Sequence, residues 1–225
     1  VIKLSLPHHK NRSRDNMKVL FTFGGLPHYY NKVLSLLNSV SNLEVVVVVP
    51  EKKGATIGKG VFQSKNAVSF KVIETEEKRS SIHGKAYMPH LASILAAEKP
   101  EIFVTIWPYA LGLNFDSSLR KVIKKLGIKL IYKDIPFNIP PFNKITHYYF
   151  TKDILDENAT EKPKKTIIGF FKFLILTWLR RGHLQKMDAQ VYYTEEAYDI
   201  IPSYGIKKEE IFMIYNSPDT DELLD

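Results

Sequence analysis

The chain has 225 residues, of which 44% are hydrophobic and 12% aromatic, so it can bury a core in one large domain or two small ones, and disorder is excluded for most of it. The absence of cysteine excludes disulfides and thiolate metal sites. The net charge is +8, but no nucleic-acid-reading module accompanies it, so we do not expect nucleic acid as a partner.

A strand, a glycine turn and a helix are the first elements predicted. The sequence MKVLFTF is a short apolar run that ends at Gly24 and Gly25, and apolar side chains then recur with helical spacing. LEVVVVVP follows, a β-branched run typical of a strand that is covered on both faces in a parallel sheet. Residues 1–16 are expected to be an upstream tail outside the fold, and residues 51–65 to be a loop.

Strand-like and helical segments alternate through the next part of the chain. AVSFKVIET, EIFVTIW and IKLIYKDI have the character of strands. Helices are predicted over 86–98 and 115–126, the second with Asp116 or Ser117 near its start and Gly127 as its stop. This alternation predicts βαβ units, and hence an α/β, Rossmann-like, doubly wound and mainly parallel sheet with helices on both faces.

The last third of the chain continues this pattern after a proline-rich interval. Residues 136–150 are not expected to form a regular helix, because prolines interrupt them. TIIGFFKFLILTWLRR predicts a helix, DAQVYYT a strand, EEAYDIIPSYG a helix broken near Pro202, and IFMIYN a last strand. The domain is therefore expected to span 17–214, with 215–225 beginning a linker to a further, donor-binding domain.

The apolar segment from Ile167 to Leu179 has two interpretations. It is too short and too interrupted to span a bilayer. It is either buried between the sheet and the proline-rich loop, or it lies in the interface of an anionic membrane, in contact through residues 162–186. Flanking basic side chains keep the second interpretation open: Lys162, Lys164, Lys165, Arg180, Arg181 and Lys186.

The Gly24–Gly25 turn also has two interpretations. Glycines at a strand end let a ligand approach the backbone, and the free N–H groups at the following helix start attract anions, phosphate above all. The pair is neither a GxGxxG motif nor a Walker loop, so a tight turn without a ligand is the alternative.

The stretch DAQVYYTEEAYDIIPSYGIKKEEIFMIYNSPDTDELL resembles the segment that leads into the second domain of family 4-type GT-B glycosyltransferases. GG-x-x-H at Gly24, Gly25 and His28 is similar to a loop of those enzymes, and KPEIFVTIW to one of their strands. The residues that match in the first stretch are Asp188, Ala189, Thr194, Glu195, Gly205, Ile206, Glu210, Ile211, Asn216, Asp219, Thr220 and Asp221.

This resemblance implies the N-terminal, acceptor-side domain of a retaining glycosyltransferase. Such an enzyme moves a sugar from a nucleotide-sugar donor to a saccharide or lipid-linked acceptor, here in surface polysaccharide or glycolipid synthesis. No metal and no cofactor are implied, and the location would be cytoplasmic, with the inner face of the plasma membrane as a peripheral site. The donor-binding glutamates would lie in the second domain, so this chain alone is expected to be inactive. The alternative is a non-catalytic Rossmann-like module that binds a nucleotide or phosphate or docks a partner.

The resemblance also suggests site residues. Gly24, Gly25 and Asn216 would contact the donor phosphates. His28 and Trp107 would contact the acceptor, unless His28 is only a surface or capping residue and Trp107 an ordinary buried aromatic.

The family often carries a histidine or an acid near the donor sugar. Lys133 and Asp134 occupy the matching place here and are the candidate catalytic residues. A simple ion pair or a strand-end carboxylate is the alternative for these two.

Overall fold

A computed structural model describes residues 16–26, 28–51, 56–58, 61–62, 68–136, 139–151 and 165–214. Most of the predicted upstream tail, the predicted linker 215–225 and the candidate residue Asn216 lie outside the described residues, so the expected domain boundaries stay predictions.

Eleven strands are described. They are β1 (Met17–Thr22), β2 (Leu43–Pro50), β3 (Thr56–Gly58), β4 (Val61–Phe62), β5 (Lys71–Thr75), β6 (Lys78–Arg79), β7 (Ala86–Tyr87), β8 (Ile102–Ile106), β9 (Lys129–Asp134), β10 (Ala189–Tyr192) and β11 (Ile211–Met213). Seven of them form one sheet in the order β11-β10-β9-β8-β1-β2-β5, and every neighbouring pair in it is parallel. This arrangement confirms the predicted Rossmann-like α/β fold.

The described helices are α1 (His28–Asn38), α2 (Leu91–Glu98), α3 (Gly112–Phe115), α4 (Ser117–Leu126), α5 (Ile145–Thr151), α6 (Ile167–Leu184) and α7 (Ala197–Ile200). They cover both faces of the sheet. Because side chains alternate along a strand, Val46 and Val48 join one core with α2 and α4, whereas Val45 and Val47 join a second core with Leu34 of α1.

Several predicted elements differ from those observed. The helix expected over 86–98 starts only at Leu91, because its first residues pair as β7 with β6. The loop expected over 51–65 contains the short β3–β4 hairpin. The helix expected around Pro202 divides into α7 and a 3-10 turn over Ile201–Tyr204.

The prediction of no regular helix over 136–150 is wrong for its second half. α5 begins at Ile145, after the last proline, Pro141, and its sequence ITHYYFT contains no breaker. The proline-rich stretch before it is fixed to the core. The Tyr204 hydroxyl donates to the Pro140 carbonyl over 2.7 Å, and the Phe142 N–H donates to Ser203 Oγ over 2.8 Å.

The predicted helix α6 is confirmed, but full burial between the sheet and the proline-rich loop is not. It buries Thr177, His183 and Leu184, while its opposite side stays exposed along most of its length. Within the described part of the chain, no helix is long and apolar enough to cross a bilayer.

The strand order reverses between β1 and β8, the two central strands of the sheet. The chain leaves β1 through α1 on one face, whereas α2 and α4 cover the other face beside β8. At their carboxyl ends the two strands are joined by buried side chains, with Thr22 Oγ1 donating to Thr105 Oγ1 over 3.0 Å. Doubly wound sheets bind their ligands in the crevice beyond such a reversal.

We expect the cap of α4 to contribute measurably to stability. Asp116 precedes this helix, and its Oδ1 accepts a hydrogen bond from the Leu119 N–H over 2.9 Å. Asp116→Ala should lower the free energy of unfolding in urea by about 1 kcal/mol, whereas Asp116→Asn, which keeps an acceptor oxygen, should lose much less. Equal stability of Asp116→Ala and wild type would show that the cap contributes nothing.

Candidate functional site

The glycine turn lies at the carboxyl end of β1, beside the strand reversal. Phe23 continues the strand by donating its N–H to the Val48 carbonyl over 3.0 Å, and the chain then bends at Gly24 and Gly25. His28 is the first residue of α1 and is exposed. The turn and the amino end of α1 therefore share one edge of the sheet, where backbone N–H groups can meet an anion.

A buried lysine lies at the same edge. Lys133, at the end of β9, is only 9% exposed, and its Nζ donates hydrogen bonds to the hydroxyls of Tyr30 and Tyr193. The two hydroxyls also contact each other. Nζ lies 4.6 Å from the centroid of the Tyr30 ring and 4.2 Å from that of Tyr193. We call Lys133, Tyr30 and Tyr193 the lysine cluster.

Aromatic packing connects the lysine cluster to the glycine turn. The Tyr30 ring stacks on Phe23 with a centroid distance of 5.1 Å, and Phe23 directly precedes Gly24. Burial lowers the pKa of Lys133 to about 8, although the neighbouring Asp134 carboxylate opposes this change. The amine therefore carries its charge at neutral pH but releases its proton more readily than an exposed lysine.

Asp134 faces the opposite side of the sheet from Lys133, because adjacent residues of a strand alternate. Its carboxylate accepts hydrogen bonds from the Tyr132 hydroxyl and, over 2.8 Å, from the Ile135 N–H. Burial raises the pKa of Asp134, and the positive charge of Arg180 and these hydrogen bonds oppose the rise. Its carboxylate therefore already has protein partners.

Trp107 follows β8 directly and lies on the same side as Asp134. The Arg180 guanidinium carbon lies 4.3 Å from the centroid of its ring, so one face of the ring is covered. Tyr132 and Trp107 also contact the ring of His183, at centroid distances of 5.3 and 6.0 Å. Burial, and then the charge of Arg180, holds the pKa of His183 well below its usual range, so this imidazole is neutral.

The sequence-predicted site residues thus divide into two groups at one edge. Gly24, Gly25, His28 and Lys133 lie toward α1, whereas Trp107 and Asp134 lie toward α6. Asn216 lies outside the described residues. The backbone just before it reaches the same edge, because the Ile214 N–H donates to the Tyr192 carbonyl over 2.9 Å at the end of β10.

Tyr30, Tyr193 and His183 were not predicted as site residues from the sequence, and Arg180 was assigned only to a basic flank. The position of Arg180 at the end of an apolar helix could have indicated its role. A charge there needs either solvent or a buried partner. No comparable pattern marks the two tyrosines. In the part of the chain that the structure describes, no three His, Asp or Glu side chains are grouped so that they could hold a metal ion.

Comparison with known proteins supports the fold. No protein-family model matches the chain, and no curated protein is similar to it in sequence. A UDP-glucosyltransferase from Polygonum tinctorium has a TM-score of 0.51 and 8% identity, over 92% of this chain and 53% of its own. The shared fold is therefore glycosyltransferase-like, and nothing singles out the family 4 type.

Two further structures are more distant. A Glycyrrhiza uralensis protein complexed with glycyrrhetinic acid 3-O-monoglucuronide has a TM-score of 0.48 and 12% identity, over 89% of this chain and 49% of its own. The ADP-L-glycero-D-manno-heptose-6-epimerase of Helicobacter pylori has a TM-score of 0.40 and 15% identity, over 87% of this chain and 60% of its own. The chain spans roughly half the length of the structures it matches.

The buried amine should leave a signature in the pH dependence of stability. Between the folded pKa of about 8 and the ordinary value of 10.5, the unfolded state binds more protons at Lys133, so wild type should gain stability as pH rises. Relative to Lys133→Met, the gain in unfolding free energy should approach about 3 kcal/mol across this window. Lys133→Arg stays charged, so its difference from Lys133→Met should stay constant. If the difference in unfolding free energy between wild type and Lys133→Met also stayed constant with pH, the lowered pKa of Lys133 would be contradicted.

Proposed function

We propose that this chain is the N-terminal, acceptor-side domain of a retaining glycosyltransferase that uses a nucleotide-sugar donor. The observation that carries the proposal is the convergence of the glycine turn and the lysine cluster at the strand reversal. The glycosyltransferase-like fold is consistent with it. The acceptor is a saccharide or a lipid-linked saccharide, in surface polysaccharide or glycolipid synthesis at the cytoplasmic side of a membrane.

In this proposal the donor diphosphate binds at the glycine turn. Gly24 is partly exposed and Gly25 is buried behind it, so in this proposal a phosphate reaches the backbone of the turn at Gly24 first, and the amino end of α1 adds its positive potential. Negative charge grows on the diphosphate as the bond to the sugar breaks. Donors that are already in position stabilise this charge without reorganisation. No metal ion and no further cofactor take part in the proposed reaction.

Lys133 is the stronger of the two candidate catalytic residues. It lies on the same side of the sheet as the glycine turn, and a charge that is only 9% exposed acts across a low-dielectric region. Its Nζ contacts the Tyr30 and Tyr193 hydroxyls, so in the proposed mechanism its charge reaches the diphosphate through these hydroxyls. Asp134, whose carboxylate already accepts two hydrogen bonds, supports the edge beside Trp107.

The acceptor is proposed to approach between His28 and Trp107. His28 is exposed at the amino end of α1 and can donate a hydrogen bond to a hydroxyl or phosphate of the acceptor. Trp107 has Arg180 over one face, so it can stack on a sugar only with the other. The resemblance places a linker and a second domain after residue 214. The second domain is proposed to bind the donor nucleoside, and Asn216 in the linker is proposed to contact the donor phosphates.

Sugar transfer is best tested in a polypeptide in which the proposed donor-binding domain follows this chain. Radiolabelled UDP-, GDP-, dTDP- and ADP-sugars are supplied with membrane extract as the source of acceptor, and labelled product is counted. Gly24→Val adds a branched side chain at the partly exposed glycine of the turn, where the phosphate would approach the backbone, and should lower kcat/KM by on the order of 100-fold. Gly127→Ala is the control for general destabilisation, because Gly127 has a left-handed φ of 67° and ends α4 at the opposite edge of the sheet.

The outcomes distinguish the candidate functions. Transfer that survives Gly24→Val contradicts the proposed phosphate site. Nucleotide binding without transfer to any acceptor favours the non-catalytic binding module. The 225-residue chain alone should show no transfer, and robust transfer by it would contradict the assignment of the donor domain to a following segment.

A further inference from the structure

A continuous apolar stripe is exposed on the outer side of α6. Its side chains are between 56% and 75% exposed and, at 100° per residue, occupy an arc of about 100° around the helix. The members of the stripe are Ile167, Ile168, Phe171, Ile175 and Trp178. Phe150 of α5, also exposed, extends it sideways, because its ring stacks on Phe170 with a centroid distance of 5.6 Å. Isolated exposed apolar residues are ordinary, but an ordered stripe indicates a surface that is covered in use.

The stripe lies on the same side of the sheet as the candidate site. Because α6 returns the chain to the start of β10, it runs antiparallel to the strands. Arg180 is level with the strand ends, since its guanidinium covers Trp107, which directly follows β8. The residues of α6 before Arg180, which carry the stripe, therefore lie farther toward the carboxyl edge of the sheet than the end of the helix at Leu184.

Among the described residues of α5 and α6, every charged side chain beside the stripe is basic. Positions 139–151 and 165–187, which supply α5 and α6, contain no Asp or Glu. Lys172 is exposed beside the stripe, and the guanidinium carbon of Arg181 lies 5.8 Å from the centroid of the Trp178 ring on its other border. Lys165 lies at the start of α6 and donates to the Phe150 carbonyl over 2.7 Å. An apolar stripe with basic borders is complementary to a surface that has an apolar interior beneath a negatively charged outer layer.

We propose that the α6 stripe docks on an anionic lipid bilayer, with Phe171, Ile175 and Trp178 among the acyl chains and Lys165, Lys172 and Arg181 at the headgroups. Amphipathic helices with tryptophan and basic borders bind membranes in this way. The first part of α6 then holds the carboxyl edge of the sheet toward the bilayer. Delivery of a lipid-linked acceptor to that edge rests on the proposed function, but the membrane contact itself does not.

Vesicle flotation with purified protein tests the contact. The protein should float with vesicles of phosphatidylcholine and phosphatidylglycerol, and only weakly with phosphatidylcholine alone or at high salt. Phe171→Glu should lower the partition coefficient at least about tenfold, and Lys172→Gln about fivefold. Leu36→Glu is the matched control, because Leu36 is 61% exposed on α1 and Phe171 is 57% exposed on α6, and the charge change is identical. Binding unaffected by Phe171→Glu, or reduced equally by Leu36→Glu, overturns the proposal.

Tryptophan fluorescence provides a second readout at the stripe itself. The chain has two tryptophans, Trp107 at the candidate site and Trp178 in the stripe. Anionic vesicles should shift the emission to the blue and allow quenching by brominated lipid chains, and Trp178→Phe should abolish both effects. An unchanged spectrum overturns the proposal. So does sedimentation equilibrium that shows wild-type dimers and monomeric Phe171→Glu, since the stripe would then join two copies of the chain.

Membrane docking and sugar transfer fail in distinguishable ways. If the protein does not float with anionic vesicles but still transfers sugar to a soluble acceptor, only the proposed docking surface is contradicted. If the polypeptide with the proposed donor-binding domain floats but transfers no sugar, the proposed function is contradicted and the proposed docking surface is not.

Discussion

The parallel direction of all seven sheet strands is the constraint on which the rest of the structure depends. Parallel strands place every outgoing connection at one edge, so Gly24, Lys133 and Tyr193 meet there although they are far apart in sequence. Reversal of the strand order between β1 and β8 then opens that edge, because the connections leave toward opposite faces. The strands beneath this edge are held in place by the buried valines of β2 and by the hydrogen bond between Thr22 and Thr105. The polar residues at the edge therefore lie on a rigid base.

The edge combines two kinds of electrostatic environment. Toward α1, backbone N–H groups and a buried lysine produce a positive region that suits an anionic ligand. Toward α6, Asp134, Arg180 and the neutral His183 form a packed polar layer beneath Trp107. In the proposed function, the negative charge of a sugar nucleotide lies in the first region, whereas the second shapes the neighbouring wall. This difference is why the proposed chemistry is assigned to the Lys133 side.

Much of the fold, but only part of the candidate site, was predictable from the sequence. Buried β-branched strands and glycine stops are local signals, so the sheet and α4 were predicted closely. The lysine cluster was not, because Lys133 is 103 residues from Tyr30 and 60 from Tyr193, and only strand order brings them together. Hydropathy also predicted α6 without indicating which side of it the protein covers. α5 was missed because the nearby prolines outweighed a short sequence without breakers.

The proposed transfer depends on binding of a diphosphate at the glycine turn, and a crystal structure of the protein with a bound nucleoside diphosphate would show that binding directly. We expect phosphate oxygens about 3 Å from the backbone nitrogen of Gly24 or Gly25, on the side of the sheet that carries Lys133. A diphosphate bound at the opposite edge, near Gly127, or only to residues remote from α1, would contradict it.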